Sequence, residues 1–345
     1  MRVIADWDED GVALDEETFN DLALRLFAYQ LRYDEPYAAY CERLGVTASL
    51  LPESWDRIPA VPALSFRDLR LATFAGDAAL TFETSGTTTG RPGRHYLETS
   101  ALYDAAAIAA FDRAMLPDGA RLRYFNCVPD PRDVPRSSLG YMMSRVSELR
   151  GDGNTGWYLR DGTLLYEDLF RDLQRAIVQR QAVCVAATAF ALVHLLDAME
   201  AEDLRIVLPP GSRIMETGGF KGRSRVLARE QLYAGTCGRF GLEPERIVAE
   251  YGMTELSSQY YDDGGRRKAA PPWLRARVVG PERSTLPDGS IGSLLHVDLA
   301  NRSSCIAIQT DDLGVRDELG LMLIGREVTA EPRGCSLDAE ELTIQ

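Results

Sequence analysis

The chain has 345 residues, 45% of them hydrophobic and 26% charged, an ordinary globular composition with enough length for a large core. Its formal net charge is -14, from 52 acidic against 38 basic side chains. That argues against nucleic acid or an anionic membrane as a partner, because a phosphate surface demands a basic face; an anionic small ligand still fits if a few arginines are focused in one cleft. Only two lysines occur, Lys221 and Lys268, so chemistry that needs an ammonium has two candidates. Six cysteines, at 41, 127, 184, 237, 305 and 335, form no C-x-x-C pair, which argues against a zinc ribbon and a dense disulfide scaffold. His95, His194 and His296 are widely scattered, so a histidine-based metal site is not expected. The acidic N-terminus, MRVIADWDEDGVALDEE, has no apolar signal core, and a cytoplasmic location is expected. The most apolar stretch, residues 182–196, is short for a membrane span and carries Thr188 and His194; a buried strand followed by a helix explains it better.

Taken in chain order, residues 15–40 are expected to form one helix. Leu22, Leu24, Leu26, Phe27 and Leu31 recur at three- and four-residue steps, and Asp15 or Thr18 can cap it. Pro52, Pro59 and Pro62 mark a winding connector. A short strand is expected at 81–84, an Ala-rich helix at 100–115, a strand at 122–128 and a Pro/Asp/Arg turn region at 129–136. Then come an amphipathic helix at 167–181, a buried strand at 182–187 and a helix at 190–200. A strand at 212–215 ends in Glu216-Thr217-Gly218-Gly219; a helix at 224–240 and a strand at 246–250 ending in Tyr251-Gly252 follow. From Arg275 the pattern changes to short strands and turns: RARVVG, GSLLHVDLA, SCIAIQT and GLMLIGR. Alternating strands and helices followed by short strands predict an α/β core with a later β-rich subdomain.

Three segments carry possible chemistry. Residues 82–95 read FETSGTTTGRPGRH. Phe82-Glu83-Thr84 is a strand-like start; Gly86, Gly90 and Gly93 let backbone N–H groups turn inwards, the hydroxyls of Ser85, Thr87, Thr88 and Thr89 can donate, and Arg91 and Arg94 can grip phosphate oxygens bidentately. The loop is not a Walker P-loop, whose Lys is missing, and alone it reads equally as a solvated Ser/Thr/Gly loop. The second segment is Glu250-Tyr251-Gly252-Met253-Thr254-Glu255: a strand breaks at Gly252, Thr254 can donate to phosphate, and Glu255 can hold Mg²⁺. An ordinary capped helix start is the plain alternative. The third, Thr310-Asp311-Asp312-Leu313-Gly314, places a carboxylate at an expected strand end, where it can accept from ribose hydroxyls; its alternative is an Asp-rich hairpin turn.

In this order the segments resemble the adenylate-forming superfamily, which includes acyl-CoA synthetases and peptide synthetase adenylation domains. Thr84 to Gly90, Tyr251 to Glu255, and Thr310 to Gly314 with Arg326 carry the likeness. One departure is an extra residue, Thr89, before Gly90. PRSSLGYM (135–142), METGGFKGRSR (215–225), AEYGMTELSSQYYD (249–262), PPWLRARV (271–278), QTDDLG and PRGCSL (332–337) resemble more narrowly the acyl-protein synthetase (LuxE-like) family.

The resemblance implies an α/β fold like the large N-terminal domain of adenylate-forming enzymes: a core over 1–325, β-rich from about 271, and a tail at 326–345. It also implies ATP and Mg²⁺ as cofactors. A carboxylic acid, fatty or aryl, would become an acyl-adenylate and then pass as a thioester to a cysteine near the C-terminus and on to a reductase. Residue by residue, Ser85, Gly86, Thr87 and Thr88 would hold the β- and γ-phosphates, Thr254 the α-phosphate, Glu255 the Mg²⁺ and Asp312 the ribose. Tyr251 would stack on adenine, with Gly218 and Gly219 against its other face, and Arg326 would sit at the hinge. The sequence stops at Gln345, so the usual mobile C-terminal domain with its catalytic Lys is expected to be missing. Lys221, in GGFKG, is the candidate cation in its place, against a plain surface lysine. Cys335 is the candidate acyl acceptor, because Arg333 and a helix starting near Ser336 would favour the thiolate. Tyr260, Tyr261, Phe190 and Met142 are candidates to line an apolar acid pocket. Two alternatives stay open: a ligase that loads coenzyme A or a carrier protein, with Cys335 structural, and a non-catalytic nucleotide-binding subunit of a reductase complex.

Overall fold

A computed structural model describes residues 1–84, 91–218, 229–262 and 267–326. Its helices are α1 Arg2–Asp10, α2 Glu16–Tyr33, α3 Glu35–Arg43, α4 Ser65–Asp68, α5 Ala101–Met115, α6 Ser138–Arg150, α7 Tyr166–Val178, α8 Ala189–Ala201 and α9 Arg229–Phe240. Its strands are β1 Val61–Pro62, β2 Leu80–Glu83, β3 Arg94–Leu97, β4 Arg123–Pro129, β5 Gly156–Arg160, β6 Thr163–Leu164 and β7 Val183–Thr188. They continue with β8 Arg213–Thr217, β9 Ile247–Tyr251, β10 Tyr260–Tyr261, β11 Leu274–Val279, β12 Ile291–Asp298, β13 Ala307–Asp317 and β14 Gly320–Arg326. Among the described residues the chain forms two compact units. One contains Met1–Ala110, Met253–Tyr260 and residues 267–326; the other contains Phe111–Gly252 with Tyr261 and Asp262.

The second unit is built on a seven-stranded sheet in the order β10-β9-β8-β7-β4-β5-β6. From β9 to β5 the neighbours are parallel, and β6 returns antiparallel. Every residue of β7 is buried, which is why it reads as an unbroken apolar run rather than an alternating one. Leu169, Leu173, Val183, Val185, Leu192 and Ile214 belong to one buried cluster on α7, β7, α8 and β8. Helix α6 was not expected from the sequence. Ser137 caps it, accepting from the Gly140 N–H at 3.0 Å, and Gly140 lies so near the end of β4 that a Cβ there would stand 2.4 Å from the Pro129 carbonyl oxygen.

The first unit holds the β-rich part of the chain. β1-β13-β12-β11 form one sheet with β14 added on β13, and β2 pairs with β3 in a separate antiparallel hairpin. The helix expected over 15–40 is two helices. Asp34 ends α2 and caps α3 by accepting from the Tyr37 N–H at 3.0 Å, while Pro36 has no N–H to continue the ladder. Asp15 is the true first cap, accepting from the Thr18 N–H at 2.8 Å. The buried stripe of α2 is Phe19, Ala23, Phe27 and Leu31, at four-residue steps; Leu22, Leu24 and Leu26 are only half-buried. Among the described residues no helix is long and apolar enough to cross a membrane.

Replacing Gly140 by Ala tests the α6–β4 contact. Ala is the better helix former by about 1 kcal/mol, yet the crowding against Pro129 should lower stability by about 1–3 kcal/mol in denaturant unfolding; an unchanged or raised stability would contradict that packing.

Candidate active site

In the first unit the hairpin β2–β3 sets the neck of the Ser/Thr/Gly loop. Phe82 lies opposite His95 and Glu83 opposite Arg94. Beyond the strands, the Thr84 N–H donates to the Gly93 carbonyl at 2.9 Å and the Gly93 N–H to the Thr84 hydroxyl oxygen at 2.7 Å. A Cβ on Gly93 would stand 3.3 Å from that hydroxyl, so the neck is narrow because Gly93 lacks one. Arg94 is exposed and donates to the Glu83 carboxylate at 2.8 Å; Arg91 is exposed. Ser85, Gly86, Thr87, Thr88, Thr89 and Gly90 lie outside the described residues, as do Gly219, Lys221 and Cys335, and for Arg326 only the backbone is described.

The segment from Met253 to Tyr260 carries Thr254 and Glu255, both buried. Its backbone is held from several sides in the same unit. His95 Nδ1 lies 2.9 Å from the Thr254 carbonyl oxygen. The Asn301 amide donates to the Glu255 carbonyl at 2.9 Å and to the Cys305 carbonyl at 3.2 Å. Asp298 accepts from the Ser257 N–H at 3.0 Å, the Ser258 hydroxyl at 2.8 Å and the Ala300 N–H at 2.9 Å. Trp273 donates its indole N–H to Ser258 at 2.9 Å, and the Tyr260 hydroxyl meets His296 Nδ1 at 2.8 Å. Sequence reasoning missed this clamp. Its members are scattered single residues with no shared motif, and only their partners across the fold reveal them.

Burial shapes the titration of these groups. It pushes His95 down to about 4, opposed by the Thr254 carbonyl, and His296 down to about 4, opposed by the Asp312 carboxylate. It pushes Asp298 up to about 6, against the pull of its three donors. Both imidazoles are therefore neutral at physiological pH.

Asp312 lies inside the eleven-residue β13, not at a strand end or in a turn as its Asp-Asp-Leu-Gly context suggested. Gly314 is no turn residue: a Cβ there would stand 2.8 Å from a Leu294 methyl and 2.9 Å from the Met322 carbonyl oxygen, so it permits close strand packing. Asp312 is the cross-strand partner of Arg326 on β14, next to a register shift at Leu313/Gly314. Asp312 of the third segment and Arg326, which the resemblance groups with it, are thus backbone neighbours across two strands.

In the second unit Gly218 follows the end of β8, with φ +81, and Tyr251 ends β9. Thr217 and Glu250 are register partners, and the Thr217 hydroxyl donates to the Glu250 carboxylate. Carboxyl ends of neighbouring parallel strands are where open α/β sheets place ligands. Behind them Arg229 donates to Asp262 and, at 2.8 Å, to the Tyr233 hydroxyl, which donates to Glu216 at 3.3 Å. Glu216 and Glu250 stand just before the glycine positions of ETGG and EYG, the sequence signal that could have marked them. Tyr260, in the first unit, is buried with its hydroxyl on His296, while the Tyr261 hydroxyl meets the Met142 sulfur at 3.9 Å in the second.

Compared with known families, the chain matches "Acyl-protein synthetase, LuxE" over residues 6–343. The chain belongs to the acyl-protein synthetase (LuxE) family. This is a family of adenylate-forming ligases, which use ATP. The chain is similar to the long-chain-fatty-acid–luciferin-component ligase of Vibrio harveyi, at 24% identity over 328 residues, covering 91% of this chain and 85% of that protein. Among solved structures it resembles 2-hydroxyisobutyryl-CoA ligase in an open conformation with 2-HIB-AMP and CoA: TM-score 0.69, 16% identity, 92% of this chain and 71% of that one. It also resembles ATP-bound MatB from Rhodopseudomonas palustris, with TM-score 0.53 and 17% identity over 73% of this chain. The chain spans about half the length of that protein, 49%. At these identities the structural likeness establishes the fold: the α/β large domain of adenylate-forming ligases, as the resemblance implied.

The neutral, buried His296 makes a pH prediction. Its folded value of about 4 lies below the ordinary 6.5, so its contribution is complete above pH 6.5 and is lost as pH falls towards 4. His296→Gln lacks that dependence. The stability gap between wild type and variant should therefore narrow from about pH 7.5 to about pH 4.5 in denaturant unfolding; a widening gap would refute a buried neutral imidazole.

Proposed function

We propose that the chain activates a carboxylic acid with ATP and passes the acyl group to a thiol. In the first half-reaction a carboxylate oxygen attacks the α-phosphorus, the bond from that phosphorus to the bridging oxygen breaks, and pyrophosphate leaves with the electron pair. In the second, the Cys335 thiolate attacks the acyl carbon, AMP departs, and the thioester is delivered to a partner protein such as an acyl reductase. The similarity to a long-chain-fatty-acid ligase supports a fatty acid over an aryl acid.

Most of the work is alignment and charge stabilisation. Thr254 donates to an α-phosphate oxygen. The N–H and hydroxyl groups of Ser85, Gly86, Thr87 and Thr88 take the β- and γ-phosphates, and Arg91 and Arg94 add positive charge at the loop. Asp312 accepts from the ribose hydroxyls, and Arg326 beside it acts at the hinge. Tyr251 stacks on adenine, with Gly218 and Gly219 against its other face. Lys221 is the fixed cation for the charge that develops as the acid attacks. A Mg²⁺ ion is implied by the chemistry, and Glu255 would hold it. The donor set is one buried carboxylate beside the Thr254 hydroxyl, and the described residues hold no group of three or more His, Cys, Asp or Glu able to cage an ion. That suits an ion shared with substrate phosphates, which would neutralise phosphate charge.

The observation that carries this reading is the link between two motif segments far apart in sequence: the hairpin that bears the loop and the Thr254–Glu255 segment meet through His95 and the Thr254 carbonyl.

Acid-dependent exchange of labelled pyrophosphate into ATP tests the first half-reaction, with long-chain fatty acids expected to support it best. Lys221→Ala should slow exchange by about 100-fold. Cys335→Ala should leave exchange intact but abolish the hydroxylamine-labile label that ATP and labelled acid leave on the protein. No exchange with any acid would reject the enzyme reading, and a label that survives Cys335→Ala would move the acceptor elsewhere.

A further inference from the structure

We infer that His95 is a positioning residue for adenylation, holding the Thr254 carbonyl so that Thr254 and Glu255 face the phosphates in a fixed orientation; this rests on the reading of the site given above. His95 sits in the short strand β3, on the face opposite Arg94, with 0% exposure. It stands opposite Phe82 and edge-on to Phe66, with ring centroids 5.8 Å apart. In these apolar surroundings a leucine would be the ordinary occupant.

The hydrogen bond fixes the tautomer. A carbonyl oxygen can only accept, so Nδ1 carries the proton and Nε2 is left with a bare lone pair. Nε2 is buried and has no partner among the described residues. An orphaned buried acceptor is destabilising, a penalty that an apolar side chain would avoid. What the chain gains is control of a peptide plane. The Thr254 carbonyl belongs to the peptide before Glu255 and the Glu255 carbonyl to the peptide after it. His95 holds the first and Asn301 the second. With both planes fixed, φ and ψ of Glu255 are fixed, and with them the direction of its Cα–Cβ bond. Because His95 follows the loop neck by two residues, it ties that orientation to the hairpin carrying the loop.

The test uses the full chain in acid-dependent pyrophosphate exchange. His95→Leu should lower kcat about 10- to 100-fold while KM for ATP moves by less than about threefold, since a misplaced group costs rate more than ground-state binding. His95→Asn, whose amide nitrogen can stand where Nδ1 does, should recover kcat to within about threefold. Thr254→Ala should cost much less in the His95→Leu background than in the wild type, the non-additivity expected of groups that act through one another. A merely structural histidine predicts otherwise: full kcat in a folded His95→Leu protein, or the same Thr254→Ala loss in both backgrounds. Either result overturns the inference. Should His95→Leu not fold, His95→Gln, whose amide reaches the Nε2 position, serves as the polar variant lacking the Nδ1 donor, with the same outcomes. Absent exchange in the wild type would defeat the functional reading itself, whereas exchange that ignores His95 would defeat only this inference.

Discussion

The short segment from Met253 to Tyr260 has little regular structure of its own apart from the end strand β10, so its shape depends on polar side chains that reach it from elsewhere. His95, Asn301 and Asp298 hold the Thr254 carbonyl, the Glu255 carbonyl and the Ser257–Ser258 pair. All three are buried, so each bond is made where water cannot compete and where a missing partner would be costly. The clamp is itself supported. The Gln30 amide donates to the Asn301 carbonyl at 2.7 Å, and its oxygen accepts from the Ile306 N–H at 2.8 Å, so α2 braces the turn that presents Asn301. A loop that must place a hydroxyl and a carboxylate against phosphate gains precision when supported this way.

Much of the scaffold was legible in the sequence because its signals are local. The apolar run of β7 and the amphipathic pattern of α7 need only neighbouring residues to be recognised, and the short strands after Arg275 stand out between turn residues. The break at Asp34 is also present in the sequence as Pro36, but the apolar pattern ends at Leu31 and does not mark where one helix stops and the next begins. The motif segments were picked out through family resemblance, and two of their residues, Asp312 and Arg326, are cross-strand partners. The clamp was not legible. His95 and Thr254 are 159 positions apart and Asn301 and Glu255 46 apart, and a lone buried His or Asn has no local pattern to announce its partner. Asp312 shows the opposite error: Asp-Asp-Leu-Gly has turn composition, yet Gly314 serves close strand packing.

Charge is used sparingly. The chain is strongly acidic; in the first unit Glu83 pairs with Arg94 at the loop neck, and in the second unit Asp262 pairs with Arg229. Of the six cysteines, Cys41, Cys127, Cys184 and Cys305 are buried and Cys237 is half-buried, and burial pushes these thiols away from the reactive thiolate. That leaves Cys335 as the proposed carrier of the acyl group.

The most direct measurement is a crystal structure of the full chain grown with Mg²⁺ and a non-hydrolysable ATP analogue. The account predicts the α-phosphate within hydrogen-bonding distance of the Thr254 hydroxyl, the ribose on Asp312, and His95 Nδ1 still on the Thr254 carbonyl. A nucleotide bound away from Thr254, or a His95 ring turned from that carbonyl once the phosphates are in place, would contradict it.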